Sequence, residues 1–537
     1  MQIQVRINEE GALRNQRYAF TDRFTLVSEL LQNARRAGAK QIEVDYDAGT
    51  QFLAIRDDGH GLDDFQKLLS FHESGWDAAT SAEERPFGVG FSKCLYAATR
   101  CIVASGHQRV DIDTAVALTK TPIDLEFITE AVAGTRIELH GVDLPDLGER
   151  IETLCLGFPV EVLFNGRRLT RQFAAAHLAT MDSPAGTVHL TGMQDGKFSY
   201  NTLVFLQGFC VMKPNYSPYD EVNVVHLDSR QFMARLPDRD KLIDEDVQSK
   251  RIRAALTACW RQILESAKAR LSPEQFVAIY YAAMRAWGHW DLLNDLDVLP
   301  VELFDEIVDY PIQDDDRCYV RQVVAAPTRE AIESGAVTLV SLEWLGDDNA
   351  ARWMLARAKG FLIFDWIGLS SEHWAWRHVR FLDQETVRVE AVSEQIRVQL
   401  EGRWVWPTVI LCDSVILRSA KEVAEITDAG VCHEDVIYIP MGEMSGQPVR
   451  QASSFIDENE QFMSSDLDAD RDALADLIRR LRSVDPVQTL DSLLQDLGLG
   501  KYPLLRGKTF EVTVGDGVAP GHSVALLAGV GDCHAVG

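Results

Sequence analysis

The stretch ELLQNARRAGAKQIEV, residues 29–44, joins an amphipathic helix to a strand through a turn of small residues. Upstream and into it, Phe24, Val27, Leu30, Leu31 and Ala34 recur at helical spacing, and Thr21 or Asp22 supplies a cap. Ala37-Gly38-Ala39 breaks that pattern. From Gln41 the period changes to two: QIEVDYD and then QFLAIRDD alternate as strands. Glu29 and Asn33 stand four apart and so share one face of the helix. A carboxylate there can deprotonate an attacking water, and an amide oxygen can ligate Mg²⁺. The same spacing also makes an ordinary polar stripe, so it decides nothing alone.

Two further features stand at fixed distances downstream. Asp57-Asp58-Gly59-His60-Gly61 closes the second strand. A buried Asp at a strand end can accept a hydrogen bond from an exocyclic amine, and the glycines let the backbone approach a ligand. Phe87-Gly88-Val89-Gly90-Phe91 opens the helix SKCLYAATR, and glycine-rich backbone before a helix N-terminus can cradle phosphates. The preceding SGWDAATSAEERP is polar and rich in small residues, as a lid over a ligand would be.

In this order, these segments resemble the boxes of the GHKL (Bergerat-fold) ATPases, the superfamily of gyrase, HtpG or heat-shock-ninety-type chaperones, histidine kinases and MutL/MORC proteins. ELLQNARRAGAKQIEV looks like the N box, closest to MutL and MORC; IRDDGHGL looks like the D-x-G-x-G box; RPFGVGFSKC looks like the second glycine box of HtpG-type chaperones. Gly134-Thr135-Arg136-Ile137 matches the last box. The resemblance implies ATP and Mg²⁺ as cofactors, with Glu29 as general base, Asn33 as Mg²⁺ ligand and Asp57 as adenine contact. It places Gly59, Gly61 and Leu62 at the adenine pocket, Lys40 on the ribose side, Gly88, Val89, Gly90 and Phe91 at the phosphates, and Thr135 beside the adenine-binding Asp. Two positions depart from the pattern. Arg36 stands where an acidic residue is frequent, and is expected to alter hydrogen bonding around the adenine. Arg85 replaces a glycine, and is expected to stiffen the lid or point toward a phosphate.

The fold class expected is α+β. Residues 1–148 read as a GHKL α/β sandwich, a mostly antiparallel sheet with helices on one face. Residues 149–245 read as a transducer-like α/β domain that includes PVEVLFNGRRL, a hairpin turning at Asn165-Gly166. A helical connector (246–315) and an α/β C-terminal domain of unassigned role (316–537) follow. RCIVASG, VDIDTAVALT, PIDLEFITEA and GTRIELHG have the pattern of four strands within the first region, NTLVFLQGFCVM that of a strand in the second, and KTFEVTVGDG with HSVALLAGVG that of a terminal pair. In the relatives a transducer base reaches the γ-phosphate; Arg239 and Lys241 in FMARLPDRDKLI stand in about that region, which also reads as a solvated charge cluster.

Composition narrows the function. With 53 basic against 81 acidic residues the net charge is −28, which disfavours a protein that coats nucleic acid. Apolar runs such as TLVSLEWLG fall far short of the roughly 20 residues of a membrane span, and the first residues lack the apolar core of a signal peptide. Nine Cys without a C-x-x-C pair suit reduced thiols and a cytoplasmic location. Cys432-His433 and Cys533-His534 lack zinc spacing, and Trp374, Trp376, Trp404 and Trp406 read as core or interface aromatics. The expected function is an ATP-hydrolysing conformational machine with chaperone-like action on protein clients, forming a homodimer on ATP binding. The alternatives are a MutL/MORC-like clamp on nucleic acid and a non-hydrolysing ATP sensor or scaffold. A histidine kinase is disfavoured, because no phospho-acceptor helices fit before Glu29.

Overall fold

The computed structural model of the chain describes residues 3–4, 8–16, 23–71, 76, 90–214, 221–235, 240–311, 319–342, 349–440, 464–483, 485–515 and 521–527. It divides into two compact units: Met1–Val298 with Gly368–His373, and Leu299–Ile367 with Trp374–Gly537. Both mix helices and sheets, so the chain is α+β.

The first unit opens with α1 (Glu9–Gln16), α2 (Thr25–Arg36), β1 (Gln41–Asp47) and β2 (Phe52–Asp57). Then come α3 (Gln66–Leu69), α4 (Ser92–Ala97), β3 (Arg100–Asp113), α5 (Thr114–Ala117), β4 (Leu125–His140), α6 (Leu147–Leu154), β5 (Glu161–Phe164) and β6 (Arg167–Arg168). The strands form one sheet in the order β3-β4-β2-β1-β5-β6, antiparallel except where β1 meets β5. Alternation turns Ile42 and Val44, Leu53 and Ile55, Cys101 and Val103, Leu139 and Val162 into a shared core with Leu26, Val27, Leu30, Leu31 and Ala34 of α2 and Leu95 of α4. This is the mostly antiparallel, helix-covered sheet that the sequence predicts.

Three local expectations are corrected. The four strands read between residues 101 and 141 are two long ones, because the chain bulges at Ser105–Gly106 instead of breaking, and TAVA (114–117) is a short helix capped by Asp113. The Asn165-Gly166 hairpin belongs to the first sheet, since β5 pairs in parallel with β1. NTLVFLQGFCVM is itself a hairpin, turning at Gln207-Gly208, where both residues have positive φ.

That hairpin supplies β9 (Thr202–Leu206) and β10 (Phe209–Met212) to a second sheet, with β7 (Met181–Ser183), β8 (Gly186–His189) and β11 (Asn223–Leu227). Its order is β10-β9-β11-β8-β7. The hairpin tip is built into the first domain: Phe209 stacks on Phe158 at 5.3 Å, and the fully buried Gln32 of α2 donates Nε2 to the Gln207 carbonyl at 2.8 Å. Two helices follow, α7 (Glu245–Arg270) and α8 (Pro273–Trp287). The second of these starts with a Ser272/Gln275 capping box and ends at Gly288 in the left-handed conformation.

The second unit holds a five-stranded, a four-stranded and a three-stranded sheet among the described residues. Its helix Ser464–Arg482 is pinned by Asp470, which is fully buried and accepts the backbone N–H groups of Arg403, Trp404 (2.8 Å) and Val405 (3.3 Å). Asp466, one turn earlier, holds Arg403 at 2.7 Å. Near the C-terminus Thr509–Val514 pairs with His522–Leu527 and with no other described strand. Alternation puts Phe510, Val514, Val524 and Leu526 on one face of this hairpin, and all four are exposed.

Replacing Asp470 with Ala takes their acceptor from three backbone N–H groups, of which that of Val405 is buried, and is expected to cost about 3 kcal/mol. Urea unfolding followed by tryptophan fluorescence measures this as a lower midpoint.

Candidate functional site

Helix α2 carries the N-box residues on a buried helix that the sheet holds in place. Glu29 is 6 % exposed and Asn33 half-buried, one turn apart. Gly90, at the start of the α4 turn, lies against both: a Cβ on it would stand 2.7 Å from Glu29 Oε2 and 3.8 Å from Asn33 Nδ2. A side chain there would make the Glu29 carboxylate shift. Thus the structure brings together two of the three distant features read from the sequence. Arg36 reaches back one turn and donates Nη1 to Asn33 Oδ1 at 3.3 Å. This departure from the family pattern therefore bears on the Asn33 amide.

The third feature lies at the end of β2. Asp57 is 8 % exposed and pairs in register with Ile42 of β1 and Thr135 of β4. Its Oδ1 accepts the Gly59 N–H at 2.9 Å. Burial pushes its carboxyl above the usual 3.8, and hydrogen bonds from the Gly59 and Thr135 amides partly offset this. Gly134 crosses so close that a Cβ would meet the Asp57 carbonyl oxygen at 2.0 Å, and its φ of +67° is one that glycine adopts freely. Asp58 points the other way. It accepts the Lys40 N–H at 2.7 Å and the Gln41 N–H at 3.0 Å, which tie the exit of β2 to the start of β1 and hold its carboxyl below the usual range. The Lys40 side chain is exposed.

Ser105 was missed by the sequence reading. It is 4 % exposed on β3, opposite Thr135, and its Oγ donates to the Gly134 carbonyl at 2.7 Å while accepting the Leu62 N–H at 2.9 Å. A Cβ on Gly61, whose φ is +79°, would stand 2.5 Å from that Oγ. One hydroxyl therefore clamps the loop after Asp57 to the strand that carries Thr135. The signal was its phase: Cys101, Val103 and Ser105 alternate on the buried side of β3.

The family model described as histidine kinase-, DNA gyrase B- and HSP90-like ATPase matches residues 22–135. This stretch is similar to the GHKL ATPases. Its limits take in the helix with Glu29 and Asn33, the Asp57 strand, Gly90, Ser105 and Thr135. No curated protein matches the chain. Among solved structures, the ATPase region of Saccharomyces cerevisiae topoisomerase II aligns at a TM-score of 0.27 and 12 % identity, over 35 % of this chain and 61 % of that one.

Other residues read from sequence fall around or outside this candidate site. Phe91 is half-buried and packs on the domain core at the head of α4. Lys241 is exposed, and its carbonyl accepts the Arg235 N–H at 2.7 Å. Arg85, Gly88, Val89, Arg239 and all of the lid segment except Trp76 lie outside the described residues. Among the described residues no group of three or more His, Cys, Asp or Glu could hold a metal ion. No described helix is long and apolar enough to cross a membrane.

Because the raised carboxyl of Asp57 binds its proton more tightly in the folded chain than in the unfolded one, it contributes stability at low pH that is lost as pH rises through its folded-state pKa. Comparing wild type with Asp57→Asn by denaturant unfolding from pH 3.5 upward should therefore show wild type losing ground as pH rises. Ser105→Ala is expected to cost about 2 kcal/mol and to speed hydrogen exchange at the Leu62 amide.

Proposed function

We propose that this GHKL domain binds Mg-ATP and hydrolyses it, and that the chain uses the cycle as a conformational machine acting on protein clients. The observation that carries the reading is the contact of Gly90 with both Glu29 and Asn33. It supports reading the start of α4 as a phosphate site beside a carboxylate and an amide.

Each end of the nucleotide has a matching group. The buried Asp57 carboxylate accepts the exocyclic amine of adenine, with Gly59, Gly61 and Leu62 lining the pocket and Thr135 supporting Asp57 from β4. At the other end Glu29 orients a water and takes its proton. The residues fit Mg²⁺, which commonly combines few protein oxygens with phosphate oxygens and water: Asn33 has a carbonyl oxygen to give. Bound there, the ion would neutralise charge on the triphosphate. Lys40 stands on the ribose side, Gly88, Val89, Gly90 and Phe91 bring amides to the phosphates, and Arg239 or Lys241 senses the γ-phosphate.

The link from Gln32 to Gln207 supports the machine reading, because it couples the helix bearing Glu29 to the second sheet through one hydrogen bond. The charge of −28 favours protein clients over nucleic acid. The MutL/MORC likeness of residues 29–44 favours a second reading, an ATP-dependent clamp on nucleic acid. Either one accommodates a homodimer formed on ATP binding and a cytoplasmic location.

Glu29→Ala should still bind ATP while hydrolysis falls by about 10²-fold or more. Asp57→Asn should weaken binding at least about tenfold. Single-turnover hydrolysis and calorimetric binding read these outcomes, and a wild type that does not bind ATP refutes the proposal. ATP-dependent suppression of the aggregation of an unfolded protein supports the client reading. A DNA affinity with a steep salt slope in its place supports the clamp.

A further inference from the structure

We propose that Ser105 is a positioning residue for the nucleobase: its hydroxyl sets the aim of the Asp57 carboxyl, and so selects a 6-amino purine over a 6-oxo purine. This rests on the ATP-binding reading above. The Asp57 carboxyl is held by backbone donors from two different segments. The Gly59 N–H, in the loop after β2, reaches Oδ1 at 2.9 Å. The Thr135 N–H reaches the same carboxyl from β4. Ser105 is buried and bonds to both segments. Its Oγ accepts the Leu62 N–H at 2.9 Å, which fixes the far end of the loop that carries Gly59. The same Oγ donates to the Gly134 carbonyl at 2.7 Å, next to Thr135 in the chain. Ser105 pairs in register with Thr135, and Thr135 with Asp57, so the three side chains form one row across β3, β4 and β2.

The joint leaves little slack. A Cβ on Gly61 would stand 2.5 Å from Ser105 Oγ and 3.1 Å from the Gly134 carbonyl oxygen. An ionised carboxylate accepts hydrogen bonds and donates none. It therefore pairs with the 6-amino group of adenine and opposes the lone pairs of a 6-oxo group. A site built to pair with a polar group rejects the analogue that lacks it, but only while its own group is held in line. Without the Ser105 hydroxyl the loop and the Gly134–Thr135 segment lose their common anchor. The two donors on Asp57 then shift independently, and its acceptor lone pairs lose their fixed direction. A 6-amino purine loses a contact by this, whereas a 6-oxo purine has none there to lose.

Isothermal titration of the full chain at pH 7.5 with ATP and with ITP, which carries a 6-oxo group in place of the amine, tests this. Wild type is expected to bind ATP at least about tenfold more tightly than ITP. Ser105→Ala should weaken ATP about tenfold and ITP less than about threefold, so that the preference collapses. Ser105→Thr keeps the hydroxyl and should retain the preference. In an Asp57→Asn background Ser105→Ala should cost ATP less than about threefold, because both changes act on one contact. Equal losses of ATP and ITP in Ser105→Ala, or full additivity with Asp57→Asn, overturn the proposal and leave the ATP-binding reading standing. A wild type that binds ATP and ITP equally overturns it without reference to any variant. Absence of ATP binding by wild type refutes that reading, and this proposal with it.

Discussion

Asp57 ends a central strand with its carboxyl buried, and a buried carboxylate is costly unless hydrogen bonds are brought to it. Much of the local architecture serves that need. Gly59 turns its N–H back onto the carboxyl, and Thr135 adds a second amide from the neighbouring strand. Gly134 makes room for β4 to run so close, and Ser105 fastens the loop that follows to the same strand. The chain pays in backbone conformations open chiefly to glycine, and gains a fixed acceptor at the end of a central strand.

Helix α2 divides its faces among three tasks. Leu26, Val27, Leu30 and Leu31 bury into the sheet. Glu29, Asn33 and Arg36, four and three residues apart, form a polar row beside Gly90. Gln32 looks toward the second sheet and binds the tip of the Gln207-Gly208 hairpin. A shift of this one helix would reach the proposed general base and the second sheet together, which is the coupling a conformational machine requires.

The sequence carried the first domain well, because its information is local and periodic. The α2 helix, the alternation of β1 and β2, and the turn at Asp57–Gly61 each announce themselves within a dozen residues. Pairing over distance was less legible. β5 resembles the start of a new domain until its parallel partner β1 is known, and glycine at 106 and 134 reads as punctuation although both strands run through. Ser105 escaped because one serine has no motif; only its strand phase and its two partners give it a role. The Asp470 anchor was likewise illegible, since the loop it holds lies 65 to 67 residues away in sequence.

The hairpin Thr509–Val514 with His522–Leu527 has a colloidal consequence. A two-stranded ribbon is marginal in water by itself, and this one displays apolar side chains on a chain with a charge of −28. Like-charge repulsion keeps copies apart while its range is long. At physiological ionic strength that range contracts to about 8 Å. Salt and protein concentration together then set how often one such greasy ribbon encounters another.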